Sequence, residues 1–325
     1  MFKWQGRIDS EDGAEGLRWH QKVNEIEVGE DSALANTITL VGFECDLGVA
    51  FNKGRVGASS GPNAIRQALA NLPWHWSRTS LADLGNVTAQ ENLSKAQKQY
   101  ADAITFALSQ HKGLTIGLGG GHEIAWGSYQ GLFNTRADNA RIGIINFDAH
   151  FDLRKPSPNT SSGTPFRQVY EHCQLHGVPF YYACLGVSKA ANTQALFNFA
   201  NTSNTRYLTD VALGDESLCM QRIGELLSPM LKDIDELYVT VCLDAFPAAL
   251  APGVSAPSTL GISPALVINT LHFLAQHQST YGYQWRLCDI AEMNPNYDID
   301  SRTAKLAARL IFEVVDAVFC SRTRT

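Results

Sequence analysis

Ile144-Ile145-Asn146-Phe147-Asp148-Ala149-His150-Phe151-Asp152 runs from an apolar strand straight into two carboxylates and an imidazole. A buried strand ordinarily gives way to a neutral turn, and burying these charges unpaired is expensive. A divalent cation is the simplest compensation. The mixed Asp and His donor set suits Mn, Fe, Co or Zn. The competing reading is an exposed polar loop.

Three other segments end in the same way. Leu114 to Leu118 reads as a buried strand and leads into Gly119-Gly120-Gly121-His122-Glu123. Glycines there permit close approach of backbone. The run lacks the Lys-Ser/Thr of a phosphate loop and the spacing of a dinucleotide fingerprint. Leu237 to Leu243 reads as a strand that delivers Cys242 and Asp244, two residues apart and so on one face. Behind it, Ala251-Pro252-Gly253-Val254-Ser255-Ala256-Pro257 cannot be helical and is expected to be a rigid pocket-lining loop. Trp285 to Ile290 is a further strand, followed by Glu292, a carboxylate suited to a cationic substrate group.

Between these lie further strands at Thr37–Phe43, Ile142–Phe147 and Phe180–Leu185, and helices at Ala64–Leu72, Ser94–Gln110, Pro264–Gln276 and Thr303–Val318. Alternation of this kind predicts a parallel sheet covered on both faces, with ligands beyond the carboxyl ends of its strands. Residues 1–36 are expected as an N-terminal extension before a catalytic domain over 37–325. They and the Ser/Pro/Asn-rich loop 155–163 are the segments expected to be flexible.

Bulk properties narrow the function classes. The net charge of -6 gives no basic footprint for nucleic acid. No apolar run is long enough for a transmembrane helix, and the N-terminus has no signal core, so a cytoplasmic location without membrane contact is expected. Seven cysteines, with no CxxC pair, read as reduced core thiols.

Taken in order, the four segments resemble the ureohydrolase family of arginases, agmatinases and formimidoylglutamases. That family carries a GG-[GD]-H segment, a DAHxD segment, and an SxDxD segment running into an APG loop. The resemblance extends upstream to Gly54-Arg55-Val56-Gly57-Ala58 and Gly61-Pro62-Asn63-Ala64-Ile65-Arg66, and so spans roughly residues 38–315. It implies a three-layer α/β/α arginase-like fold with a mainly parallel eight-stranded sheet, commonly in a homo-oligomer. It also implies two Mn²⁺ ions, other divalent metals being possible, bridged by water or hydroxide. By position, His122, Asp148, His150, Asp152 and Asp244 match metal ligands, with Asp148 shared by both ions. Asp152 matches the residue that relays the proton, and Glu292 the acid that pairs with the substrate's amidinium or guanidinium.

Four departures from the family pattern bear on the substrate and the metals. Ser162 stands where arginases and agmatinases carry a His, which removes a proton shuttle suited to guanidino substrates. Arg154 replaces a small polar residue and offers a bidentate fork for a carboxylate. Arg55 is another cation able to approach the pocket. The loop APGVSAP follows the formimidoylglutamase version rather than APGTGTP. Lastly, Cys242 occupies the position of the second bridging Asp. As a thiolate it keeps that residue's charge, although sulfur is not a donor Mn²⁺ favours. The expected activity is hydrolysis of N-formimidoyl-L-glutamate, an acidic amidine, to L-glutamate and formamide, with Arg154, Ser162 and Glu292 contacting substrate. The alternatives are an agmatinase- or guanidinobutyrase-type hydrolase releasing urea, a non-catalytic metal-binding relative, and a zinc deacetylase. Paired acidic segments suit two metals better than the last.

Overall fold

The computed structural model describes residues 2–29, 35–89, 91–214 and 218–321. Among them nine strands form one sheet: β1 (Val23–Glu25), β2 (Ala35–Glu44), β3 (Ser80–Thr88), β4 (Lys112–Gly119), β5 (Ile142–Phe147), β6 (Tyr181–Val187), β7 (Arg206–Thr209), β8 (Glu236–Cys242) and β9 (Gln284–Ala291). Their spatial order is β1-β3-β2-β4-β9-β8-β5-β6-β7, and every pair is parallel. The helices are α1 (Leu47–Phe51), α2 (Gly61–Leu69), α3 (Leu93–Gln110), α4 (Ile124–Thr135), α5 (Pro165–His176), α6 (Gln194–Thr202), α7 (Cys219–Leu231), α8 (Pro264–Gln276), α9 (Gln278–Tyr281) and α10 (Arg302–Ser321).

Parallel strands need crossovers, and the crossovers place helices on the faces. One face is covered by α2, α7, α8 and α10, over a core of Ile38, Ile116, Phe147, Val241 and Ile290. The other is covered by α3, α4, α5 and α6, over Val41, Phe43, Ile144, Tyr238 and Leu287. Alternate residues of one strand therefore enter different cores: Ile145 and Phe147 one, Ile144 the other. This is the three-layer α/β/α architecture expected, with one correction to the sheet. It has nine strands rather than eight. The added edge strand, Val23-Asn24-Glu25, is short, half exposed and without apolar alternation, so no periodicity announces it.

Within residues 2–29, expected to be flexible, Trp4 and Trp19 tie the chain to the rest of the molecule. Trp19 is completely buried and meets Trp74 and Trp76 edge to face, and its backbone N–H donates to the Leu72 carbonyl. Trp4 donates through Nε1 to Asp83 Oδ2 at 2.8 Å. Asp83 in turn holds the buried Arg66 of α2 bidentately, at 2.9 Å from Nε and 2.7 Å from Nη2. This fork ties α2 to the middle of β3. An Asp83→Ala variant leaves the guanidinium uncompensated in the core and is expected to cost about 3–5 kcal/mol of unfolding free energy. Urea denaturation reads this directly, and a loss under about 1 kcal/mol would contradict it.

Candidate metal centre

Four consecutive strands, β4, β9, β8 and β5, deliver the chemistry to one end of the sheet. His122 follows β4, Glu292 follows β9, Cys242 ends β8 with Asp244 just beyond, and Asp148, His150 and Asp152 follow β5. The expectation that β8 runs to residue 243 needs correction. The strand stops at Cys242, and Asp244 comes from the 3₁₀ turn Leu243–Ala245. Both side chains reach the cluster, but only Cys242 does so by strand alternation.

Asp148 is fully buried and its two oxygens serve different partners. Oδ2 lies 2.9 Å from His122 Nδ1, and Oδ1 lies 3.4 Å from His150 Nδ1. Asp152 Oδ2 is also 2.9 Å from His122 Nδ1, and Asp244 Oδ2 is 3.1 Å from His150 Nδ1. Donor atoms bonded at right angles to one cation at about 2.1 Å are about 3 Å apart, so these spacings are those of coordination edges. Two donor triads lie within 4.8 Å: His122, Asp148 and Cys242, and Asp148, His150 and Asp244. His122 Nδ1 and Asp244 Oδ1 are buried with no hydrogen-bond partner. The donor set fits a divalent cation on each side of Asp148.

The electrostatics agree with that fit. Burial opposes ionisation of Asp148, yet bonds from His122 and His150 outweigh it and hold its carboxyl below the usual range. Burial also opposes charge on the two imidazoles. The facing carboxylates nevertheless push both well above the ordinary histidine value. Burial, then the Asp148 charge, raises Asp152 and Asp244. Burial and four neighbouring carboxylates, Asp148 first, push the Cys242 thiol up, so its protein surroundings alone keep it protonated. Glu292 is raised to about 8 by burial and by the charges of Glu123 and Asp244.

The backbone is shaped to serve the cluster. Gly120 lets the loop after β2 come close, since a Cβ there would lie 2.0 Å from the Cys45 carbonyl oxygen. Asp152 and Glu292 both adopt left-handed backbone, at φ 48° and 71°, a conformation uncommon outside glycine. The Glu292 amide donates to the Gly120 carbonyl, and its Oε1 accepts from the His122 amide at 2.9 Å. Its Oε2 is buried without a partner. Several supporting residues escaped the sequence reading. Asn146 donates to Asp148 Oδ2 at 3.1 Å, and Asn192 clamps the backbone of Ala149 and Phe151. Asn146 was within reach of the sequence argument, because it precedes Asp148 by two on one strand face. Nothing local marks Asn192.

Of the residues expected to contact substrate, Glu292 belongs to the cluster, whereas no contact joins Arg154 or Ser162 to it among the described residues. Ser162 is buried and accepts from Asn52 Nδ2 at 3.2 Å. Arg154 is exposed, has no ion pair among the described residues, and lines a groove of about 410 Å³ with Asn52, Lys155 and Ser161. Gly163 makes room for it, since a Cβ there would lie 2.8 Å from Arg154 Cδ. Arg55, also expected near the pocket, is instead committed. It donates to the carbonyls of Val254 and Ser255 and stacks on Tyr297, holding the loop over 251–257. Cys45, Cys173, Cys184, Cys219, Cys242 and Cys288 are buried, as expected of core thiols, and no helix among the described residues is long and apolar enough to cross a membrane.

Comparison with known proteins agrees with this fold. The family model described as the arginase family matches residues 36–316. A formimidoylglutamase of Ralstonia nicotianae is 46% identical over 319 residues, covering 97% of this chain and 95% of its own. One from Vibrio vulnificus is 45% identical over 328 residues, covering 98% and 95%. Among solved structures, a Bacillus subtilis formimidoylglutamase superposes with a TM-score of 0.80 at 21% identity, over 93% of this chain and 91% of that one. A Trypanosoma cruzi formiminoglutamase solved with Mn²⁺ gives 0.73 at 22%, over 86% and 92%. At these identities the structural likeness speaks for the fold.

Because His122 and His150 hold protons against their carboxylates, a cation entering the cluster must displace them. Apparent affinity for Mn²⁺ is expected to rise from about pH 6 to about pH 8, with protons released on binding. Calorimetry in buffers of different ionisation enthalpy measures both, and pH-independent binding without proton release would count against this cluster as the metal site.

Proposed function

The chain belongs to the arginase family, and we propose that it hydrolyses N-formimidoyl-L-glutamate to L-glutamate and formamide, using two Mn²⁺ held by the cluster at the ends of the four central strands. The observation that carries this reading is the end-to-end similarity to relatives named formimidoylglutamase, which runs through all four site segments. His122, Asp148 and Asp152 would hold one ion, and Asp148, His150 and Asp244 the other, with Cys242 as a further donor. When bound, such a pair of divalent cations makes hydroxide available from water near neutral pH.

The remaining roles fall to side chains. Glu292 Oε2, buried and unpaired, accepts from the amidinium N–H groups of the substrate, while the His122 amide on Oε1 keeps the carboxylate turned. Pairing with a cation also favours the ionised carboxylate that burial disfavours. Asp152 is the most accessible carboxylate of the Asp148, Asp152 and Asp244 set, with 12% of its side chain exposed. Its Oδ2 is turned to His122, and the other oxygen takes the proton of the attacking water and returns it to the leaving nitrogen. The bond that breaks joins the formimidoyl carbon to the glutamate nitrogen, so glutamate departs as the amine and formamide retains the carbon. Arg154 binds a substrate carboxylate with its fork, and Ser162 adds a hydroxyl on the same side.

Two expected outcomes test this. The Mn²⁺-loaded protein should release formamide from N-formimidoyl-L-glutamate and no urea from agmatine or 4-guanidinobutyrate; the opposite pattern would overturn the assignment. Arg154→Met should raise KM about 10- to 100-fold with kcat largely kept, and an unchanged KM would return Arg154 to the surface. Separately, Cys242→Asp should shift metal preference toward Mn²⁺ over Zn²⁺. Unaltered stoichiometry and preference would deny Cys242 a ligand role.

A further inference from the structure

One level below the acidic cluster runs a row of buried polar side chains. Asn146 on β5 pairs in register with Thr240 on β8, and Thr240 with Asp289 on β9. All three residues are completely buried. The row lies on the sheet face covered by α3 and α4, because the strand neighbours of Thr240 and Asp289, namely Val239, Val241 and Ile290, point into the opposite core. The first member of the row orients a member of the cluster, since Asn146 donates to Asp148.

The second and third members converge on His122. Its Nδ1 faces Asp148 and Asp152, and its Nε2 lies 3.1 Å from Thr240 Oγ1. A histidine binds a cation through an unprotonated nitrogen, so the other nitrogen must carry the hydrogen. Ligation through Nδ1 therefore requires Nε2–H to donate to Thr240, and Thr240 must spend its own hydroxyl hydrogen elsewhere. Asp289 stands in register beside it, with a buried oxygen, Oδ1, that has no hydrogen-bond partner and can take that hydroxyl hydrogen. Burial raises the Asp289 carboxyl, but the hydroxyls around it, Ser128 first, pull it back toward the ionised form. With Ser128 and Tyr238 already donating to it, it meets Thr240 as an acceptor and sets the direction of the bonds in the chain.

Asp289 is otherwise hard to explain. It accepts at Oδ2 from Ser128 Oγ at 2.6 Å and Tyr238 OH at 2.5 Å, while Oδ1 has no hydrogen-bond partner of full geometry. No Lys or Arg pairs with it among the described residues, although it is buried in the core beneath the site. A carboxylate kept there without a counter-charge is costly unless something gains from its sign.

We propose that Asp289, acting through Thr240, is a positioning residue that fixes the proton of His122 on Nε2 and so leaves Nδ1 free to bind a cation. The relay rests on the reading of His122 as a metal ligand. It makes a specific demand of an isosteric amide. In Asp289→Asn the side-chain oxygen can keep the bonds from Ser128 and Tyr238, and the NH₂ takes the place of Oδ1, the oxygen left to Thr240. That NH₂ donates to Thr240, whose hydroxyl then points its hydrogen at His122 Nε2 and drives the imidazole proton to Nδ1. The same tautomer reversal accounts for the damage done by the Asp-to-Asn change in serine-protease triads.

The test measures metal binding rather than turnover. Mn²⁺ affinity, by competition with a fluorescent chelator, and metal content are compared for wild type, Thr240→Val, Thr240→Ser, Asp289→Asn, the Thr240→Val/Asp289→Asn double variant and His122→Ala. Thr240→Val and Asp289→Asn should each weaken Mn²⁺ about 10- to 100-fold. Thr240→Ser, which keeps the hydroxyl, should stay near wild type. The double variant should be no weaker than the poorer single one, because both cut one chain. Wild-type affinity in Thr240→Val, failure of Ser to restore what Val loses, or additive losses in the double variant would each overturn the relay. Wild-type affinity in His122→Ala would instead overturn the metal-centre reading beneath it. Thr240→Val keeps the branched shape of the side chain, so it still decides the matter if Asp289→Asn does not fold.

Discussion

Everything at the carboxyl end of this sheet is arranged around the divided carboxylate of Asp148, one oxygen toward His122 and the other toward His150. Asp152, Asp244 and Glu292 crowd the same small volume, and like charges at such separations cannot all be ionised without a counter-charge. Asn146, the His150 amide and the two imidazoles supply part of it. A cation would supply the remainder, and this is what suits the cluster to hold one.

The sheet turns that requirement into geometry. Four residues far apart in the chain, at 122, 148, 244 and 292, meet only because β4, β9, β8 and β5 lie side by side in the order the crossovers impose. Both faces of these strands are buried under helices, so their ends are fixed by packing density on either side. The flanking strands carry a different burden. β3 anchors α2 through the Arg66–Asp83 fork, and the Trp4 indole reaches the same carboxylate from the N-terminal segment.

The sequence announced its chemistry more clearly than its architecture. Apolar strands ending in acids marked β5, β8 and β9, and α8 fell on the residues expected, with Ser263 capping it. Other elements were hidden for identifiable reasons. β3 carries Asp83, Gly85 and Asn86 in its middle, polar and flexible residues kept there to hold Arg66. α4 contains Gly127 and Gly131, poor helix formers that let it approach α3 closely; a Cβ at Gly131 would lie 2.5 Å from Ile104. β1 has no apolar face at all. In the site, the candidate ligand types could be read from residue identity, but the commitment of Arg55 to the loop over 251–257 depends on contact between distant loops, and the row beneath the cluster on register between distant strands. No local pattern carries register.

The left-handed backbone at Asp152 and Glu292 has a consequence for how this protein can change. Glycine would adopt those conformations without strain, and the folded chain would be steadier for it. Each position instead keeps a carboxylate that aims inward only because the chain turns the unfavourable way. Given the roles proposed for these two residues, selection for thermal robustness alone would press on them in the direction of lost chemistry, a trade-off between endurance and activity written into two torsion angles.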